Sequence, residues 1–340
     1  MRYRFLGHSG LLVSEIGLGT NTFGGEDDPR SRALGALRQP EATAVVREAV
    51  ENGVNLIDTA DAYGGGHSEE RVGIALKELG VAREEIIVLT KFFNRTGPGP
   101  NAAGASRMHI MNSIGRSLKK LGTDYIDLYM LHNYDPYTPM EETLDTLDAL
   151  VRQGKVRYIG CSNLFAWQVM LALGVSAQRT LAKFSAIEGQ YSVAERGIER
   201  ELLPMLTHQR LGLVVFGALG SGLLTGKYGR DGTASGPARG EHVGATDRAR
   251  AADAVEAMQP IAARRDVTIG QVAIAWVLAR QAVSSVLLGA RHAGQLHQNL
   301  GALDIKLDAS ELASLDAVCP LVLEHPGAIQ VRLAGTRLPG

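Results

Sequence analysis

The chain contains very little cysteine. Only Cys161 and Cys319 occur among its 340 residues, and they lie far apart in the sequence. This excludes a small domain held together by a disulfide framework, and the lack of a CxxC pair excludes the usual zinc and dithiol redox motifs. Two isolated thiols are typical of a protein of the reducing cytoplasm, which is the compartment we expect.

The chain also lacks an excess of charge and a long apolar run. Its 35 lysines and arginines nearly balance 36 acidic residues, so no basic field exists to attract nucleic acid or an anionic membrane. The longest wholly apolar run, near Val272 to Ala279, is much shorter than the roughly 20 residues of a membrane span. The first residues lack the apolar segment of a signal peptide. We therefore expect a small-molecule partner, with no nucleic acid and no membrane; the oligomeric state stays open.

Short apolar runs recur along the chain, and each precedes a longer helical pattern that ends at glycine. Eight such alternations favour a closed barrel over an open sheet. With 45% apolar residues, the chain is predicted to form one large domain over residues 1–340, of the α/β class and with a (β/α)8 TIM-barrel fold. The predicted strands are 15–19, 55–59, 86–91, 125–132, 156–163, 184–190, 213–219 and 286–290.

Two further features complete the predicted barrel. Residues 4–13, with Gly7 and Gly10, are predicted to form a hairpin that closes its bottom. Long connections at 21–40, 92–105 and 229–246 follow strands, and so belong at the carboxyl-terminal rim, where barrel enzymes carry their active sites. The segment 229–246 is predicted to be either a lid or a disordered loop.

Helix boundaries are also readable. Thr138, Pro139 and Glu141 are typical of a capping box with proline at the first helical position, and Gly154 ends that helix. Similar signals bound a helix from Ser106 to Gly122, and Thr268 with Gln271 forms another capping box.

Several glycine and histidine patterns match known motifs only in part. The string GLGTNT at 17–22 lacks the third glycine and the following helix of a Rossmann fingerprint. In GSGLLTGKY at 220–228 the glycine spacing of a phosphate loop is wrong, and Tyr228 stands where that loop needs serine or threonine. None of the nine histidines forms HExxH. We expect no metal centre.

Polar residues stand at the ends of three neighbouring predicted strands. Asp58, Lys91 and His132 end the second, third and fourth strands, and Tyr63 follows Asp58 by five residues. Each has an ordinary structural explanation when taken alone: a loop cap, a solvated lysine, a packed tyrosine and a buried histidine. Because the ends of barrel strands converge at one mouth, we interpret the four together as a catalytic site.

This set of side chains suits carbonyl reduction. Hydride addition to carbon leaves negative charge on oxygen, which needs a proton donor and a positive field. Tyr63 can supply the proton, and Lys91 beside it should lower its pKa from the usual value of about 10. Asp58 would keep Lys91 charged and oriented, and His132 would hydrogen-bond the substrate carbonyl.

Nearly the whole chain resembles the aldo-keto reductase superfamily. The resemblance is carried, in the family's order, by NLIDTADAYGGGHSEERVG, IIVLTK, LGTDYIDLYMLH, GKVRYIGCSN and GLLTGKY. It implies that Asp58, Tyr63, Lys91 and His132 form the catalytic tetrad. The strings GPNAAGASRMHI and AWQVMLALG look most like the aryl-alcohol-dehydrogenase-like branch, related to potassium-channel β subunits. The implied substrates are diverse carbonyl compounds.

The resemblance also implies NADPH, or NADP+ in the reverse direction, bound extended across the rim. Phe216 would stack on the nicotinamide, and LLGARHAGQLHQNLGAL after the last strand matches the segment that holds the 2'-phosphate and adenine. The implied contacts are Gly19, Thr20, Ser162, Asn163, Glu188, Phe216, Leu219, Ser221, Lys227, Gly289, Arg291, Gln295, Gln298 and Asn299.

Two positions depart from the family pattern. Gly217-Ala218 replaces the usual Ser-Pro, and Glu188 stands where a glutamine normally holds the nicotinamide carboxamide. Gln190 is the competing candidate, because alternate residues of a strand share a face.

Two other functions compete with a reductase. One is a nicotinamide-binding regulatory or redox-sensing subunit with vestigial reductase activity, like the channel β subunits; these carry asparagine where this chain has His132, which argues against it. The other is a barrel isomerase of sugar phosphates, which would need no nicotinamide.

Overall fold

Eight parallel strands close into a barrel in the computed structural model, which describes residues 1–229, 245–334 and 336. Neighbouring strands are also consecutive in the chain, and the last pairs with the first. This confirms the predicted (β/α)8 fold. The barrel strands are β3 Ile16–Gly19, β4 Leu56–Asp58, β5 Ile87–Phe92, β6 Ile126–Leu131, β7 Val156–Ser162, β8 Phe184–Gln190, β9 Gly212–Phe216 and β10 Val283–Gly289.

Helices surround the barrel, and their buried faces share one apolar core with the outward residues of the strands. The core is apolar on both sides of the strands because parallel barrel strands are covered on both faces. The described helices are α1 Pro29–Leu34, α2 Gln39–Glu51, α3 His67–Glu78, α4 Arg107–Leu121, α5 Met140–Arg152, α6 Ala166–Arg179, α7 Leu202–Gln209, α8 Ala245–Arg265, α9 Ile269–Leu278, α10 Ala293–Leu300, α11 Ala309–Val318 and α12 Gly327–Ala334.

An N-terminal hairpin closes the bottom of the barrel, as predicted. Its strands are β1 Tyr3–Phe5 and β2 Leu12–Ser14, paired antiparallel. Leu6 is fully buried and belongs to the cluster that fills the barrel interior. Gly7 packs so closely on β9 that an added Cβ would lie 2.3 Å from the backbone nitrogen of Gly212. The hairpin therefore leaves the opposite, carboxyl-terminal mouth for a site.

The predicted cap at the helix start is confirmed for two of three helices. Ser106 accepts a hydrogen bond from the His109 backbone at the start of α4, which ends at Gly122 with φ +65°. Thr268 and Gln271 form the expected capping box of α9. The capping box predicted at Thr138 is wrong, because its hydroxyl instead donates to Asp135 over 2.8 Å.

The long rim connections have more structure than their sequences indicate. The predicted loop 21–40 contains α1 and the first residues of α2, and Asp28 caps α1 by accepting from the Ser31 backbone. The predicted lid or disordered loop 229–246 lies outside the described residues, apart from Gly229 and the start of α8.

Candidate active site

The predicted catalytic side chains converge at the carboxyl-terminal mouth. β4 ends at Asp58, Lys91 is the penultimate residue of β5, and His132 directly follows β6. The His132 backbone N–H donates to the Phe92 carbonyl over 3.0 Å, which continues the pairing of β5 with β6 beyond the strand. Tyr63 opens the single helical turn that follows β4. The structure thus brings together all four residues.

Lys91 lies at the centre of this arrangement and is fully buried. Its ammonium group donates to a carboxylate oxygen of Asp58, to the Thr59 carbonyl over 3.2 Å and to the Tyr63 hydroxyl over 3.3 Å. Burial alone would lower the pKa of Lys91, but the negative charges of Asp58 and Glu188 outweigh it and raise that pKa well above the ordinary value. Lys91 therefore keeps its positive charge at neutral pH.

Tyr63 lies between Lys91 and His132. Its ring meets His132 edge-on with centroids 5.7 Å apart, and the Lys91 ammonium lies 5.0 Å from its centroid. Burial raises the pKa of Tyr63, and Lys91 acts in the opposite direction without overcoming it. The expected effect of Lys91 is present, but the net pKa is raised rather than lowered. The hydroxyl keeps its proton and can only donate it when negative charge develops nearby.

His132 is a neutral imidazole. Burial, followed by the charge of Lys91, lowers its pKa to about 3. Its Nδ1 lies 3.0 Å from the amide nitrogen of Asn94. Sequence reasoning did not find Asn94, because it lies in an irregular rim loop where no pattern relates position to side-chain direction.

Glu188 lies in the same site and is 3% exposed. Its Oε2 is 3.0 Å from the Lys91 nitrogen. Burial and the negative charge of Glu188 raise the pKa of Asp58 to about 8, although Lys91 opposes the shift. The alternation of side chains along the strand predicts that Glu188 and Gln190 share one face. The sequence did not predict that Glu188 contacts Lys91. Gln190 is exposed at the strand end, beside Gly217.

The loop after β9 combines a tight turn with a cation. Gly220, Ser221 and Gly222 all have left-handed φ angles, and the Gly220 and Gly222 N–H groups donate to the Gly217 and Leu219 carbonyls. The side chain of Lys227 lies against Gly222, since an added Cβ there would meet its Nζ at 3.2 Å. Phe216, half-buried at the end of β9, provides an aromatic face beside this loop. These residues fit a dinucleotide phosphate and its nicotinamide.

A second candidate cofactor-binding element follows β10. Arg291 donates through its backbone to Gln295 and through its guanidinium to the Ala33 carbonyl, both over 2.9 Å, just before α10 begins. Asn299 is buried, and its amide nitrogen has no hydrogen-bond partner among the described residues. A buried donor without a partner is costly. An acceptor nitrogen of adenine would satisfy it, so this region also fits the cofactor.

The remaining predicted contacts occupy the same rim. Gly19 pairs in register with Gly289, Leu219 directly precedes the turn at Gly220, Gln298 lies on α10, and exposed Asn163 has φ +58°. Ser162 is fully buried, and Asn163 donates to its hydroxyl. Thr20 uses its hydroxyl on the Asp58 carbonyl and on Ser68, both at 2.7 Å. Its visible role is to hold the end of β4.

Neither a cluster of metal ligands nor a membrane-spanning helix is found in the described part of the chain. Across residues 1–229 and 245–334, no three histidine, cysteine, aspartate or glutamate side chains group together as metal ligands. In those same ranges no helix is long and apolar enough to cross a membrane.

Comparison with known proteins agrees with this geometry. The profile described as Aldo/keto reductase family matches residues 15–319, so the chain belongs to the aldo/keto reductase family. It is 35% identical over 312 residues to a probable voltage-gated potassium channel subunit beta of Arabidopsis thaliana, covering 90% of this chain and 92% of that one. It is 31% identical to the uncharacterized oxidoreductase YrpG of Bacillus subtilis, covering 94% of this chain and 96% of YrpG. Both similarities confirm the predicted branch.

Proposed function

We propose that the protein is an NADPH-dependent reductase of aldehydes or ketones, which also oxidises alcohols in reverse. The observation that carries this proposal is the contact of the Lys91 ammonium with both Asp58 and Tyr63, with neutral His132 against the Tyr63 ring. A proton donor, a buried cation and a hydrogen-bond donor meet at one point, as a carbonyl oxygen requires during reduction.

Each residue has a separate task in this reaction. Bound NADPH would supply the hydride to the carbonyl carbon. Tyr63 donates its proton to the carbonyl oxygen, and the charge of Lys91 stabilises the tyrosinate that remains. Asp58 keeps Lys91 in place. Neutral His132 orients the carbonyl oxygen by hydrogen bonding and does not compete as an acid, because its pKa is about 3.

The proposed cofactor contacts follow the rim. Phe216 would stack on the nicotinamide, with its carboxamide held by Ser162, Asn163 and either Glu188 or Gln190. The loop at Leu219 and Ser221, with Lys227, would hold the pyrophosphate. The 2'-phosphate and adenine would be bound by Arg291, Gln295, Gln298 and Asn299. The other proposed contacts, which would line the groove between adenine and nicotinamide, are Gly19, Thr20 and Gly289.

A regulatory or redox-sensing subunit is the second candidate, because two plant relatives bear the name of a potassium channel β subunit. Such a protein would bind NADPH but reduce carbonyls very slowly. His132 favours the reductase, since its N–H can orient a substrate oxygen. A single domain over residues 1–340, working in the cytoplasm on small molecules, fits either function.

The test combines binding with turnover. Fluorescence titration should show NADPH binding, which excludes a sugar-phosphate isomerase, and loss of NADPH absorbance should report reduction of members of an aldehyde, ketone and sugar panel. Tyr63→Phe keeps the aromatic ring but removes the proton donor, so it is the control for turnover. If wild type and Tyr63→Phe both bind NADPH tightly and both have the same negligible rate, the regulatory subunit is favoured.

A further inference from the structure

The protons of the Lys91 ammonium are all committed. An ammonium group has three N–H donors, and Lys91 directs them at Asp58, at the Thr59 carbonyl and at the Tyr63 hydroxyl. No donor remains for a fourth partner. Any further anion near this nitrogen must be stabilised by charge alone.

Glu188 is that further group. Its Oε2 lies 3.0 Å from the Lys91 nitrogen but receives no hydrogen bond from any described residue. Glu188 and Asp58 are 3% and 4% exposed, so water cannot solvate them well. Two ionised carboxylates on one buried ammonium would leave a net negative charge in an apolar interior, which costs several kcal/mol.

We propose that Asp58 and Glu188 share one proton around Lys91 at neutral pH, so that Glu188 is a positioning residue that keeps the charge of the site balanced. One carboxyl group then remains ionised against Lys91, and the other is neutral. Its O–H can donate to the neighbouring carboxylate, because both carboxyl groups contact the same Lys91 nitrogen and therefore lie beside each other. The arrangement satisfies a buried oxygen that otherwise has no partner.

The electrostatics of the site agree with one shared proton. The pKa of Asp58 is raised to about 8 by burial and by Glu188, against the opposing effect of Lys91. The other titratable groups of the site are Tyr63, which keeps its proton, and His132, which is neutral. Lys91 is therefore the only cation among the described side chains that face the pair.

The consequence for the reaction rests on the proposed function. When the shared proton is lost at alkaline pH, the site gains a negative charge near the atom that must accept electrons. Reduction should slow as the pH rises past the point where the pair ionises. Replacement of Glu188 by glutamine keeps the size of the side chain and removes the second carboxyl group, so this decline should disappear.

Infrared spectroscopy tests the proton directly, without substrate or cofactor. A protonated carboxyl group has a carbonyl stretch that an ionised one lacks. We expect the difference between wild type and Glu188→Gln to contain one such band at pH 6.5, which is lost as the pH is raised into the alkaline range, because burial and Glu188 raise the pKa of Asp58. Asp58→Asn should remove the same band, because the single remaining carboxylate would stay ionised beside Lys91.

Asp61→Asn is the matched control, because Asp61 is also buried and burial raises its pKa to about 7, but its carboxylate accepts from Ser113 and not from the Lys91 ammonium. Its substitution should leave the Asp58–Glu188 band in place. The spectrum of wild type is compared with that of Glu188→Gln and with that of Asp58→Asn. If neither difference spectrum contains the band, the shared proton is overturned. Because the spectra need no turnover, this failure is distinguishable from failure of the reductase proposal.

Kinetics then test the positioning role. With NADPH saturating, kcat of the wild type should fall about tenfold for each pH unit above the pair's ionisation. In Glu188→Gln, kcat should stay nearly constant over that range. The same alkaline decline in both proteins would overturn the role of Glu188.

Discussion

The side-chain amide nitrogen of Asn94 lies 3.0 Å from Nδ1 of His132. An amide nitrogen only donates, so Nδ1 of the neutral imidazole must accept and its proton resides on Nε2. The loop residue thereby selects the tautomer that can donate to a carbonyl oxygen through Nε2. Asn94 is a positioning residue in the proposed reaction.

Asn94→Leu should therefore lower kcat with little change in NADPH affinity. Loss of one neutral hydrogen bond is worth about 1 kcal/mol, or roughly fivefold to tenfold in rate. Nitrogen NMR of His132 should show a mixture of tautomers in the variant. Asn101→Leu, at an exposed position of the same loop, is the control. A normal rate in Asn94→Leu with an altered tautomer would contradict the role of Nε2 as donor.

Tyr63→Phe should remove most turnover, because a general acid typically contributes about 10²- to 10⁴-fold in rate. NADPH affinity, measured by fluorescence, should remain near wild type. Tyr129→Phe is a matched control, since Tyr129 is a fully buried tyrosine of β6 whose hydroxyl makes no hydrogen bond with the Lys91 ammonium. Equal rates in the two variants would rule out Tyr63 as the acid.

Lys91→Met should reduce turnover as severely and also destabilise the fold. It leaves Asp58 and Glu188 buried without their cation, and breaking a buried ion pair costs about 3–5 kcal/mol. The residual activity should have a shifted pH profile, because the charge that acts on Tyr63 is absent. Urea unfolding and the pH dependence of kcat are the measurements. An unshifted profile at a normal rate would refute the assigned role.

Arg291→Ala should weaken NADPH binding and spare NADH. The guanidinium donates one bond to the Ala33 carbonyl, which leaves further donors for a 2'-phosphate. A charge-assisted hydrogen bond contributes about 1.5–3 kcal/mol, equivalent to roughly 10- to 100-fold in Kd. Dissociation constants for both cofactors by fluorescence check this. Equal losses would mean that Arg291 does not distinguish them.

Asp61→Asn should flatten the pH dependence of stability between pH 4 and 7. Burial raises the pKa of Asp61 from 3.8 to about 7, so the folded state binds more protons than the unfolded state in that range. Stability is therefore fully present below the unfolded pKa and declines as pH rises toward the folded one, by up to about 4 kcal/mol. Urea unfolding at several pH values measures the slope; unchanged slopes would show that Asp61 does not titrate there.

The sequence predicted the ends of helices and strands well where these ends depend only on residues close together in the chain. Ser106 and Gly122 mark the ends of α4, because a hydroxyl can cap free backbone N–H groups and glycine tolerates a left-handed φ. The strand predicted through Leu219 stops at Phe216, since Gly217 has φ +74° and leaves the extended region. Thr138 failed as a cap because Asp135, three residues earlier, competes for its hydroxyl.

The amino-acid sequence by itself determined the barrel, its hairpin and the alignment of Asp58, Lys91 and His132 at one mouth. These follow from apolar periodicity and from the rule that parallel barrel strands end on one face. Only the tertiary structure decided that Glu188 lies 3.0 Å from Lys91 and that Asn94 reaches His132. Both contacts join residues far apart in the chain, so their distances depend on barrel closure and loop packing, which no local pattern encodes.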